Sequence, residues 1–198
     1  MVKEDIPWQA GNYPGPTLAR VVAPEVAARL IKASKRPLLV YGSLVLNELN
    51  GKQLVDYAIE IAHASKAPVV ATAHTMKAFL AKGFTPDASM PVINIVDRLR
   101  DPDWKGLRGE GQHDTVVFLG VLYYLGSQGL STLKHFAPYL KTITLCRFFH
   151  PNATFSFPNM DDRTWEASLN TLVQNMKGKP AQQPKEKTQL KAKKKKED

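Results

Sequence analysis

Pro37-Leu38-Leu39-Val40-Tyr41 is an unbroken apolar run, and Gly42-Ser43 ends it abruptly. A run this short and apolar at every position does not fit a strand with one wet face. It reads as a strand buried on both sides, the environment of a central strand in a parallel sheet. Parallel neighbours need a crossover between them, usually a helix. The rest of the chain supplies that alternation.

A helix is expected over Pro24–Lys35, with Pro24 in the first turn and Val26, Ala27, Leu30 and Ile31 as its apolar stripe. After Gly42-Ser43 a second helix runs from about Gly51 to Ser65, with Leu54, Ala58, Ile61 and Ala62 on one face. Pro68–Thr72 is a second strand. A helix over Thr75–Ala81 follows and closes at Gly83. Pro91–Val96 reads as the third strand, Asp114–Leu119 as the fourth and Lys141–Cys146 as the fifth. Between the last two, a helical run Val121–Leu125 breaks at Gly126. A second helix starts near Ser131 and stops before Pro138. The last helix spans Asp161 to about Lys177, striped by Trp165, Leu169, Leu172, Val173 and Met176. Two loops stand out: the glycine-rich, charged Asp101–Gln112, of the kind that is mobile or functional, and the aromatic His150–Pro158.

Five strands joined by right-handed crossovers predict an α/β fold, a three-layer, doubly wound, mostly parallel sheet of the Rossmann-like kind. The domain organisation follows: an extended arm over 1–20, one α/β domain over 21–177 and a disordered lysine-rich tail over 178–198. In strand order 3-2-1-4-5 the first and fourth strands are neighbours, and their C-terminal ends form the switch-point crevice where such folds bind ligands. Gly42 and Ser43 would face Gly120 and Val121 there, with Thr72 and His74 along one side. These six are the candidate cofactor-binding residues.

The motifs around them leave the chemistry open. Leu44 and Leu46 stand where a G-x-G-x-x-G fingerprint needs glycine, and no Gly-Lys-Ser/Thr occurs. A plain tight turn and a phosphate-binding turn fit these residues equally well. His74 is placed to orient a phosphate or ring, or to sit at a helix start. Cys146 is the single cysteine, so no internal disulfide forms and no iron–sulfur cluster, which needs four ligands, is held by this chain. That usage fits a reducing, cytoplasmic setting. His63, His113, His135 and His150 lack metal-ligand spacing, and no Ser/His/Asp set or acid pair points to a catalytic residue.

The net charge of +9 is unevenly placed. From Lys177 onward nine lysines face three acidic residues, so the preceding chain carries only +3. Nucleic-acid binding is therefore not expected of the folded part, and the tail is its only candidate. No apolar run approaches the ~20 residues of a membrane helix, and the charged N-terminus is no signal peptide.

Two stretches, Arg36-Pro37-Leu38-Leu39-Val40-Tyr41-Gly42 and Ala67-Pro68-Val69-Val70-Ala71-Thr72, resemble the central domain of thiamine-diphosphate enzymes, which has the deoxyhypusine-synthase-like NAD/FAD-binding fold. A closer resemblance spans most of Ile6–Met176. It rests on the proline-rich arm with Trp8 and Gly15-Pro16, on Lys35–Gly42, Lys66–Thr72 and Pro91–Asn94, and on Phe155-Ser156-Phe157-Pro158-Asn159. These residues together are similar to the epsilon subunits of archaeal acetyl-CoA decarbonylase/synthase. The resemblance implies a multisubunit complex in which the large nickel–iron CO dehydrogenase alpha subunit holds the metal clusters, in an alpha2-epsilon2 component. It implies an accessory role, either stabilising alpha or helping electrons reach FAD, with the arm and the aromatic loop as contacts. An independent dinucleotide-binding protein is the remaining alternative.

Overall fold

The computed structural model describes Gln9 and residues 17–178. The lysine-rich tail from 179 and the rest of the arm before Thr17, with Trp8 and Tyr13, lie outside the described residues. In chain order the elements are β1 (Arg20–Val21), α1 (Pro24–Ala33), β2 (Pro37–Tyr41), a 3-10 turn (Ser43–Leu46), β3 (Glu48–Leu49), β4 (Lys52–Gln53), α2 (Leu54–Ser65), β5 (Val69–Ala71), α3 (Ala73–Ala81), β6 (Ala88–Ser89), α4 (Val92–Arg100), β7 (Thr115–Leu119), α5 (Tyr123–Phe136), β8 (Lys141–Thr144), β9 (Phe155–Ser156) and α6 (Asp162–Met176).

Seven of these strands form one sheet in the order β1-β9-β8-β7-β2-β5-β6, and every pair in it is parallel. β2 and β7 are central neighbours, in register from Pro37 opposite Thr115 to Tyr41 opposite Leu119. The predicted 3-2-1-4-5 order is therefore present, extended by β9 and β1 at the β8 edge. Alternate residues of the apolar run serve the two faces. Leu39 and Tyr41 pack toward α1, α2, α3 and α6, while Leu38 and Val40 pack toward α4 and α5. This is why the run shows no polar position.

The third predicted strand is a helix. The short apolar run Pro91–Val96 predicts a strand, but the segment starts α4 at Val92, and the third strand is the short β6 just before it. Val92, Ile95, Val96 and Leu99 are buried at helical spacing, whereas Ile93 is 45% exposed. The break expected at Gly126 is also absent: α5 is one helix through Gly126 and Gly129. Both glycines serve close approach. A Cβ on Gly126 would lie 3.2 Å from His150 Cε1, and one on Gly129 would lie 3.0 Å from Val96 Cγ2 on α4.

Smaller differences are local. α2 starts at Leu54, after the β3–β4 hairpin, and α3 starts two residues earlier than expected. β8 ends at Thr144, which leaves Cys146 just beyond it. α6 is capped by Asp161, whose carboxylate accepts the Thr164 N–H at 2.7 Å. Described arm residue Gln9 is buried, and its amide exchanges two hydrogen bonds with Asn159 at 2.7 and 2.8 Å.

The aromatic loop faces inward. Phe149 and Phe157 are fully buried, and the buried Ser156 hydroxyl accepts the His150 N–H at 3.0 Å. Burial removes the Phe157 ring from the contact role expected of the loop; Phe149 lies just before the loop. Phe148, one residue before, is the exposed aromatic of this region.

Candidate functional site

The C-terminal ends of β2 and β7 bring Gly42 and Gly120 together as the topology requires. The two turns then close on each other. A Cβ on Gly42 would lie 2.6 Å from the Val121 Cα, inside van der Waals contact with backbone. Gly120 has φ +68, which favours glycine, and a Cβ there would lie 2.5 Å from Val45 Cγ1 and 2.7 Å from Val45 N. Only glycine fits at either position.

A phosphate-binding turn needs backbone N–H groups free to meet the anion. Here they bond within the protein. Gly42 N–H donates to Leu119 O at 3.0 Å, Leu44 N–H to Gly120 O at 2.8 Å and Val45 N–H to Gly42 O at 3.2 Å. Gly120 and Val121 N–H both donate to the Cys146 sulfur. These bonds commit most of the N–H groups that a dinucleotide pyrophosphate would need at this turn. Ser43 is half-buried and opens the 3-10 turn. Thr72 follows β5 at the N-cap of α3, and its Oγ1 is buried without a partner; its carbonyl accepts from Thr75 N–H and Oγ1. His74 is exposed in the first turn of α3. Thr72 and His74 thus do not join the pocket that Gly120 and Val121 line.

That pocket encloses about 360 Å³ beside the closed turn, between Leu44, Leu54, Tyr123, Cys146, Phe148 and Trp165, with His150 and Arg147 in its wall. Tyr123 organises it. Its ring stacks on His150 at 4.5 Å between centroids and meets the Phe148 edge at 6.5 Å, and its hydroxyl donates to Phe149 O at 3.1 Å. Arg147 pairs with Asp162 and lies 4.8 Å from the Phe148 ring centre. Burial pushes the Cys146 thiol up to about 11, against the two N–H donors that lower it. Burial pushes His150 down to about 4, and its Nδ1 has no partner. At neutral pH the pair is a thiol and a neutral imidazole, without the thiolate a nucleophile needs. Sequence reasoning missed Tyr123, Phe148 and His150 because nothing in their spacing marks them; the helix glycine Gly126, which admits His150, was the available signal.

Among the described residues no group of three or more His, Cys, Asp or Glu side chains is placed to hold a metal ion, and no helix is long and apolar enough to cross a membrane.

The family described as CO dehydrogenase beta subunit/acetyl-CoA synthase epsilon subunit matches residues 1–173. The acetyl-CoA decarbonylase/synthase complex subunit epsilon of Methanothermobacter thermautotrophicus is 46% identical over 84% of this chain and 94% of its own length. The chain belongs to this epsilon-subunit family. The subunit epsilon of Methanothrix soehngenii is 35% identical over 88% of the chain and 93% of its own, and subunit epsilon 1 of Archaeoglobus fulgidus is 37% identical over 80% and 85%. The family match ends inside α6, so the lysine-rich tail lies beyond it.

Proposed function

We propose that this epsilon-family chain is an accessory, non-catalytic, cytoplasmic subunit that stabilises the large nickel–iron alpha subunit of a CO dehydrogenase component. In this reading alpha interconverts CO and CO2 within acetyl-CoA synthesis and cleavage, and this chain adds surface. The observation that carries it is the aromatic face around the switch-point pocket. Phe148 and Tyr123 are exposed and meet edge to face, the Arg147 guanidinium lies against the Phe148 ring, and Tyr124, the next residue along α5, is 65% exposed. Clustered tyrosine, phenylalanine and arginine are the residues that dominate protein interfaces.

The test is anaerobic co-purification of the full chain with a large nickel–iron protein. Capture should fall at least about tenfold in a Tyr124→Asp/Phe148→Asp variant whose circular dichroism is unchanged. Undiminished capture removes this face from the role, and a chain recovered alone from gentle lysates removes the role itself.

We propose further that FAD is not held at Gly42 and Gly120. The committed N–H groups and the closed turns support this. Titration of the full chain with FAD should show no saturable binding. Saturable binding that Gly42→Val abolishes would restore the electron-transfer reading.

A further inference from the structure

At the opposite end of the sheet, where β2 and β5 begin, a second cavity of about 370 Å³ is strongly cationic. Lys32, Lys35, Arg36, Lys66 and Arg108 line it, and Glu110 is its one acidic residue. The proposed partner contact does not use it. We infer that this cavity is a binding site for a small polyphosphate anion.

The two guanidinium groups are fixed in place. Arg36 Nε donates to Gln112 O at 2.5 Å and its Nη1 to Glu110 O at 3.4 Å. Arg108 donates twice to Asp87 Oδ1, at 2.9 and 2.6 Å. The loop that carries Arg108 is held down as well. The Asp114 carboxylate accepts the Lys35 and Arg36 N–H groups at 2.8 and 3.1 Å. The buried His113 ring lies between two backbone groups: Nδ1 is 3.0 Å from Arg36 O, and Nε2 accepts the Leu107 N–H at 3.1 Å. Gly106 (φ +76) folds the loop back so closely that a Cβ would strike Gly111 O.

The three lysines are different. Among the described residues the ammonium groups of Lys32, Lys35 and Lys66 have no hydrogen-bond or ion-pair partner. Lys32 lies in the last turn of α1 and Lys66 caps α2. Each helix end supplies about half a negative charge. Those ends, Glu110 and the Asp87 and Asp114 carboxylates offset much of the cationic wall, and what remains resides on the unpaired lysine ammonium groups. The remainder focuses a positive field into a concave space, which attracts an anion of high charge. The volume lies at the small end of ligand pockets, which run from about 300 to about 1,000 Å³. The unpaired ammonium groups can meet phosphate oxygens, the guanidinium N–H groups not already bonded within the protein add to them, and Pro37, Ala67, Pro68 and Leu107 give an apolar wall beside them. A diphosphate or a nucleoside diphosphate fits that size and charge.

The experiment is titration of the ¹⁵N-labelled full chain with inorganic pyrophosphate and, separately, with ADP, read by amide shifts. Saturable shifts are expected at Lys35, Arg36, Lys66, Ala67 and residues 107–111. Affinity should fall about tenfold or more in Lys35→Glu/Lys66→Glu, and in the milder Lys32→Gln/Lys66→Gln should the first not fold. It should also weaken as salt rises from about 50 to about 300 mM. Tighter binding of ADP assigns the site to nucleotides, and equal binding assigns it to inorganic polyphosphate. Shifts confined to residues beyond 178 would mean that the lysine tail alone binds, and would overturn the inference. So would unchanged affinity in a folded charge variant, or no saturable shift.

Discussion

A single methyl group separates Gly42 from a side chain the fold has no room for. The nearest obstacles to a Cβ are backbone atoms of Gly120 and Val121, which cannot rotate away. Gly42→Ala should therefore cost roughly 2 kcal/mol. In a chain of this size that lowers the Tm by roughly 4–8 °C, measured by thermal circular dichroism. His150 makes a prediction of another kind. It is 2% exposed, and burial holds it near pKa 4, while in the unfolded chain it titrates near 6.5. Its folded-state pKa is depressed, so the unfolded chain binds the proton first as pH falls. The contribution is fully present above pH ~6.5 and is lost between there and pH ~4, to the extent of roughly 3 kcal/mol. Urea midpoints across that window should drop with pH, and His150→Phe should flatten most of the slope. His113, also lowered by burial, adds to it in the same direction.

At the scale of elements, α4 is where pattern and structure diverge most. Val92-Ile93-Asn94-Ile95-Val96 is a short, mostly apolar run, and five residues are too few to separate the strand and helix periods. On a strand Ile93 and Ile95 would share one face and respond alike to truncation. On the helix they do not: Ile95 is fully buried and Ile93 is exposed. Ile95→Ala should cost about 2–5 kcal/mol and Ile93→Ala less than about 0.5 kcal/mol in chemical denaturation. Comparable losses at both would reinstate the strand. The glycine-rich loop gives an element-scale test as well. His113→Ala removes the acceptor of the Leu107 N–H, so amide exchange at Leu107 and Gly111 should accelerate well over tenfold, while β2 and β7 keep their protection. Equal acceleration in the strands would show that His113 supports the whole sheet.

The whole molecule has one parallel sheet covered on both faces, and α6 closes the larger of its two cores. Trp165, Leu169, Leu172, Val173 and Met176 share one buried cluster with α1, α2 and the central strands. The Trp165 Nε1–H donates to Leu145 O at 2.8 Å, tying the last helix to the chain just beyond β8. No subset of elements keeps its core without the others. Urea unfolding followed by far-ultraviolet dichroism and by tryptophan fluorescence should therefore give one coincident transition. Separated midpoints would reveal a unit that unfolds on its own.

Elements long enough to repeat a pattern were legible in the sequence alone: the apolar runs of β2, β5, β7 and β8, the stripes of α1, α2 and α6, and the central pairing that follows from crossover handedness. Their signals are local, because a buried strand and an amphipathic helix each write a period into the residues. Two-residue strands such as β1, β6 and β9 carry no period, and their pairing comes from neighbours distant in sequence. The candidate site divides the same way. That Gly42 and Gly120 meet follows from strand order. That their turns close so tightly that the N–H groups of Gly42, Leu44 and Val45 bond to the oxygens of Leu119, Gly120 and Gly42, leaving few donors for a phosphate, depends on tenths of an ångström between separate turns. The gathering of Lys32, Lys35, Arg36, Lys66 and Arg108 around one cavity is likewise a product of packing. Residues up to 76 positions apart become neighbours only once the sheet is built, and no local pattern records it.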